Sequence, residues 1–271
     1  MSRGGGGLAA GRLWQASPAV ALGVLLLVAA MMPSVTLLAL DPRLMAGVSV
    51  WVKPLKFQAS LAIHLVTVAW ALSLVVWRGP RPRWLGPVIA LMLTMAAFEI
   101  AYITLQAARG EASHFNLATP LTRALYTAMG IAAVILVATT AVIGLSILLF
   151  AANRTVLVVG AALGLVLGGI AGGITGLALG SQPSPWIGGL ASNAGGLPLV
   201  NWSRTGGDLR VAHFFGLHLM QALPLTVWVV GRLGGSPRLQ AGALAVAAVV
   251  GVGVTWWTWN QAVAGLPLVG V

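Results

Sequence analysis

Four histidines and four acidic residues are all that 271 residues provide of these types, so the reactive chemistry is concentrated in a few places. His213 and His218 sit five apart in HFFGLH, His64 ends the stretch KPLKFQASLAIH, and His114 lies in EASHFN. Glu99 stands alone in the apolar run MAAFEIAYITLQ. Such side chains can bind a divalent metal, ligate haem iron or pass protons. Within lipid an ionised group costs from about +2.5 kcal/mol upward, so these residues are expected to face inward and toward one another.

The elements that must position them are transmembrane helices. The chain is 59% hydrophobic and 7% charged, where a soluble domain carries about 25% charged residues. Seven apolar runs are each long enough to cross a hydrocarbon core of about 30 Å. They fall at 17–40, 56–77, 84–107, 121–150, 154–180, 209–231 and 239–262. The expected fold is therefore all-α, a polytopic bundle of seven transmembrane helices forming one domain over 1–271. The first run reads as a retained helix, because it is longer than the short apolar core of a signal peptide. The chain has no cysteine, which excludes disulfides, iron–sulfur clusters and thiolate metal sites.

The formal net charge of +11 reflects arginines at helix ends, where they anchor to headgroups, and does not point to nucleic acid. Basic residues divide almost evenly between the two faces. Arg3, Arg12, Arg78, Arg81, Arg83, Arg154, Arg232 and Arg238 share one, while Arg43, Lys53, Lys56, Arg109, Arg123, Arg204 and Arg210 share the other. Short, purely basic segments such as RGPRPR mark the first set as cytoplasmic. This places the N-terminus inside and the C-terminus outside, in what is expected to be a bacterial cytoplasmic membrane. All four acids and all four histidines then belong to the outer loops and the outer half of the bundle.

At 1.5 Å per residue, His64, Glu99 and His218 lie at a common depth of roughly 12 Å, with His213 about one turn in. Spacings of three and four align Lys56, Ser60, His64 and Thr67 on span two, and Glu99, Tyr102 and Gln106 on span three. On span six Arg210, His213, His218 and Gln221 occupy one arc. A pocket walled by spans two, three and six is expected, with Asn116 and Trp202 at its mouth beside Gln106 and Gln221.

Two metal chemistries suit this set. His64 and His218 could be axial ligands of haem b, with Lys53, Lys56, Arg109 or Arg210 meeting the propionates. Alternatively His64, Glu99 and either His213 or His218 could hold zinc, with Asp208 or His114 completing the shell and a bound water ionising near neutrality. Glu99, Ser60, Tyr102 and Asp208 are then the catalytic candidates, and the protein is a metal- or haem-dependent membrane enzyme acting on a lipid or small molecule. Ser60-x-x-x-His64 on the second span, an acid on the third and a late histidine pair together resemble the seven-helix membrane hydrolases that include alkaline ceramidases and adiponectin receptors. That resemblance implies zinc ligation by His64, His213 and His218, assistance from Ser60 and Glu99, and hydrolysis of an amide-linked lipid.

A proton-coupled transporter is the alternative, with Glu99 and the histidines exchanging protons and a basic mouth attracting an anionic or amphipathic substrate. A structural or accessory subunit is the third. Span five carries a glycine at every fourth residue from Gly160 to Gly180, a ridge for close helix packing within the chain or in a homo-oligomer. Pro33 and Pro224 are expected to kink spans one and six. Segment 181–208 has the length of a lid, or of an interfacial segment held by Trp186 and Trp202. Trp256, Trp257 and Trp259 read as an aromatic belt.

Overall fold

The computed structural model describes residues 10–270. Arg3, counted above among the cytoplasmic arginines, lies outside them. Eight helices are present among the described residues: α1 (Ala10–Ala16), α2 (Pro18–Leu40), α3 (Val52–Ser73), α4 (Leu85–Arg109), α5 (Pro120–Phe150), α6 (Val156–Gly180), α7 (Leu209–Arg232) and α8 (Pro237–Val263). The seven from α2 to α8 are long and apolar enough to cross a membrane, so this is an integral membrane protein with an all-α bundle. Two small antiparallel pairings decorate the loops, β1 (Leu44–Met45) with β2 (Val48–Ser49), and β3 (Trp186–Ile187) with β4 (Gly207–Asp208).

Local chemistry sets the helix boundaries. Thr119 and Thr122 form a reciprocal capping box ahead of Pro120, satisfying amide donors that the first turn leaves open. Thr155, Asp208 and Ser236 cap α6, α7 and α8 in the same way. Gly110 ends α4 at φ 71°, a left-handed conformation that glycine adopts without a Cβ penalty. All seven expected spans recur within four residues at each end. The largest difference is α3, which begins at Val52 and so takes Lys53 and Lys56 into its first turns. Helix α1 was not anticipated.

The loops sort onto two ends. At one, Asn193 N donates to Ala46 O at 2.8 Å, Arg43 Nη1 to Ala108 O at 3.0 Å and Lys56 Nζ to Val200 O at 2.9 Å. These bonds join the segments after α2, α4 and α6. At the other, Asn153 Nδ2 donates to Leu74 O and Val76 N to Asn153 Oδ1, both at 2.8 Å, while Arg81 Nη1 donates to Ala16 O at 2.9 Å. We call these the loop end and the arginine end.

The glycine ridge is used inside the chain. A methyl group on Gly164 would come within 3.1 Å of the Leu219 and Met220 carbonyl oxygens, and one on Gly168 within 3.0 Å of Leu217 O, so α6 and α7 pack backbone to backbone. Pro224 cannot donate to Met220 O, and Gly164 packs against that oxygen and the proline ring. On the other side Gly169 meets Val137 O of α5. Of the two uses expected for the ridge, within the chain or in a homo-oligomer, the first is made by α7 and α5. Side chains of α2 and α8 such as Leu26, Met32, Val249 and Trp256 are more than half exposed, a surface suited to lipid.

Candidate functional site

The loop end of the bundle gathers the expected residues, but each histidine has its own partner. His64, about 18 Å along α3 by helical rise, is buried, and its Nε2 lies 2.9 Å from Thr140 Oγ1 on α5. Thr140 gives its own hydrogen to Leu136 O at 2.9 Å. Thr140 Oγ1 is thus shared between the His64 ring and the α5 backbone.

His218 is ordered by a longer chain. Thr67 Oγ1 donates to Ile63 O at 2.8 Å, so it accepts from Gln221 Nε2 at 2.9 Å. The Gln221 Oε1 atom then accepts from His218 Nδ1 at 3.1 Å, leaving His218 Nε2 with a free lone pair. Gln221–Thr67 ties α7 to α3. His213 bonds to Thr175 Oγ1 at 3.1 Å against Gly176, where α6 leaves room for the imidazole. His114 bonds to Ser113 Oγ at 3.2 Å and is ringed by Phe57, Tyr126 and Phe115 at 5.6, 6.0 and 6.5 Å between centroids. That enclosure, with the nearby Lys53 charge, holds the His114 imidazole well below its ordinary value, so it is neutral at physiological pH.

The charged residues expected to surround a cofactor are mostly occupied by the loops. Arg210 makes a two-pronged contact with Asp208 at 2.8 and 2.6 Å, and also donates to Asn193 Oδ1 at 2.8 Å and Asn201 O at 3.0 Å. Asp208 accepts in addition from Ser203 N at 2.9 Å and caps α7 through Arg210 N at 3.1 Å. Both of its carboxylate oxygens are thus engaged by the loop and the start of α7. Lys56 donates to Asn201 Oδ1 as well as to Val200 O. Arg109 pairs with Glu111 at 2.9 Å. Outside the bundle, Arg43 and Trp51 hold the Asp41 carboxyl far below the usual carboxylate range.

Neither metal proposal is assembled. Among the described residues, no three His, Asp or Glu side chains come together in a group able to hold a metal ion. The zinc set of His64, Glu99, His213 or His218, with Asp208 or His114, is therefore not gathered into one such group. For haem, Thr140 holds His64 Nε2, and the propionate partners Lys56, Arg109 and Arg210 are bonded elsewhere. Ser60 lies open and makes no hydrogen bond, although His64 and Thr67 beside it on α3 are buried.

Gln106 turns to Glu111 Oε2 and Ala112 O at 3.4 Å, and Asn116 closes its own turn on Ala112 O at 3.1 Å. Trp202 packs edge-on against Phe214 at 5.3 Å, and Phe214 lies 4.1 Å from the His218 ring. The mouth residues are thus loop ties and an aromatic wall.

Two charges at the loop end are without a bonded partner among the described residues. Glu99 is buried at 4% exposure with Oε1 unpaired. Lys53 lies within electrostatic reach of Glu99 and makes no hydrogen bond among the described residues, its Nζ lying 6.0 Å from the Phe57 ring centroid. The Tyr102 hydroxyl on α4 and the Gln58 amide oxygen on α3 are likewise buried and unpaired. Gln58, Thr140 and Thr175 were missed from sequence. Gln58 lies off the Lys56–Ser60–His64 stripe, and isolated threonines in apolar helices give no periodic signal.

The chain matches no protein-family model, no curated protein and no solved structure.

Proposed function

We propose that the protein is a proton-coupled membrane carrier for a small anionic or amphipathic solute, with Glu99 exchanging the proton and Lys53 providing the solute's counter-charge. One observation carries this reading: the two opposite charges within electrostatic reach of each other are not bonded together, while the histidines and the other charged side chains around them are tied. An unpaired buried charge costs several kcal/mol, so Glu99 must be balanced by a proton or a cationic partner, and Lys53 by an anion. Binding an anion at Lys53 removes the charge nearest Glu99 and so changes its proton affinity, which is the required coupling.

Orientation belongs to the same proposal, with the arginine end cytoplasmic and the loop end facing out of a bacterial inner membrane. Because the protein has no native cysteine, a single cysteine at Gly79 should resist a membrane-impermeant maleimide added outside intact cells. Labelling from outside would reverse the topology.

The transport test uses proteoliposomes holding a pH-sensitive dye, challenged with a panel of small carboxylates and sulfonates. At least one anion is expected to drive proton entry, slowed tenfold or more in Glu99→Gln and Lys53→Met. Proton entry that no anion drives, or that persists in Glu99→Gln, overturns the reading.

A second reading is favoured by His218. Gln221 fixes its Nδ1 hydrogen and leaves Nε2 as an acceptor, the arrangement of a general base with its orienting residue. An enzyme acting on a membrane-dissolved substrate would lose turnover in His218→Gln while Lys53→Met retained it.

A further inference from the structure

At the arginine end, an open cleft of about 420 Å³ lies between α1 and the far end of α3, lined by Arg12, Gln15, Ser73, Trp77 and Arg81 among others. Its place in the fold matters. Helix α2 starts at Pro18 and α3 stops at Ser73, so the cleft sits where both membrane-crossing segments end and hydrocarbon gives way to headgroups. Helix α1 suits such a boundary: Leu13 and Ala16 pack against the core of the bundle, while Arg12 and Trp14 face outward. Amphipathic segments with this division lie along a membrane surface.

The electrostatics are one-sided. Arg12, Arg78, Arg81, Arg83, Arg154, Arg232 and Arg238 all belong to this end, and all four acidic residues of the chain lie toward the other. No carboxylate side chain here can neutralise the cleft. Arg81 spends one nitrogen on Ala16 O at 2.9 Å, which fixes its guanidinium at the rim. Among the described residues its Nε and Nη2 make no hydrogen bond and the Gln15 amide makes none, so donors remain for a ligand. A guanidinium fork matches the oxygen spacing of phosphate, and an indole beside it favours the headgroup level.

We propose that this cleft binds a phosphate group, and that its source is the headgroup of an anionic phospholipid. Arg12 and Arg81 hold the phosphate from two sides, Gln15 adds a donor, and Trp77 packs at the glycerol level. The site is separate from the Glu99 and Lys53 pair at the loop end and does not depend on its role.

Native mass spectrometry of the detergent-purified protein, titrated with phosphatidylglycerol and separately with inorganic phosphate, tests this. The expected result is one tightly held phosphatidylglycerol whose affinity falls at least tenfold in the double variant Arg12→Gln/Arg81→Gln. In the control Arg232→Gln/Arg238→Gln, with the same charge removed at the same end, it is expected to remain within twofold. Ser73→Met narrows the cleft with both arginines kept, and should also weaken binding. Inorganic phosphate binding with the same dependence, without phosphatidylglycerol binding, would keep the anion site but assign it to a soluble phosphate. Equal losses in the two double variants, or binding unchanged in the cleft variant, overturns the proposal.

Discussion

Each histidine has its own side-chain hydrogen-bond partner, and that makes its role testable singly. Thr140→Val leaves the His64 Nε2 buried without its hydrogen-bond partner, a loss expected to destabilise by about 1–3 kcal/mol. Adding His64→Phe should recover part of it, because removing both partners is cheaper than orphaning one. Thermal unfolding in detergent reads both, and equal stability of Thr140→Val and wild type would mean the bond is not made. His114 gives a pH signature. Its enclosure disfavours the charged form, so the unfolded chain binds a proton more readily than the folded one, and stability falls as pH drops below about 6.5. The unfolding temperature should decline between about pH 7 and 5, and His114→Gln should flatten that decline. An identical slope in the variant would show that His114 carries none of it.

At the scale of elements, segment 181–208 is held by a small number of side chains. Leu199 and Asn201 adopt left-handed backbone at φ 67° and 55°, in the turn that presents Asn201 to Lys56 and Arg210. Asp208→Ala removes the cap of α7 and leaves Arg210 without its carboxylate, expected to cost about 3–5 kcal/mol as the loss of one partner of a buried pair. Limited proteolysis should then cut within 188–200 at rates the wild type does not show, and unchanged protection would contradict this role for Asp208. The helices themselves were legible in the sequence, because runs such as 121–150 and 239–262 need only length and apolarity to be recognised. The sequence placed the histidines and acids toward one end of the bundle, but a helix α3 that starts at Val52 sets His64 a turn deeper than expected, and the pairings were not legible. Asp208 and Arg210 looked like a polar mouth, yet they bond across two residues of the same chain turn, a geometry that helical periodicity does not encode. Ser60 shared a stripe with His64, but whether a neighbouring helix covers that stripe depends on packing at each level.

On the scale of the whole molecule, two chemically distinct ends are joined by an apolar bundle. The loop end holds all the carboxylates and histidines, and the arginine end holds positive charge without acid. The glycine contacts of α6 with α5 and α7 bring helices close enough to fix the histidines of α7 relative to α3 through Thr67 and Gln221. At the loop end, Glu99 and Lys53 are the two charges left unbonded among the described residues, and the central claim is that Glu99 exchanges a proton. Infrared difference spectroscopy of the reconstituted protein measures this directly through the carboxylic C=O stretch. The account predicts a band that appears and disappears reversibly between about pH 10 and pH 4, is absent in Glu99→Gln, and titrates at a different pH in Lys53→Met, since removing a nearby positive charge alters the carboxyl's proton affinity. A Glu99 that keeps one protonation state across that range, or titrates identically without Lys53, would contradict it.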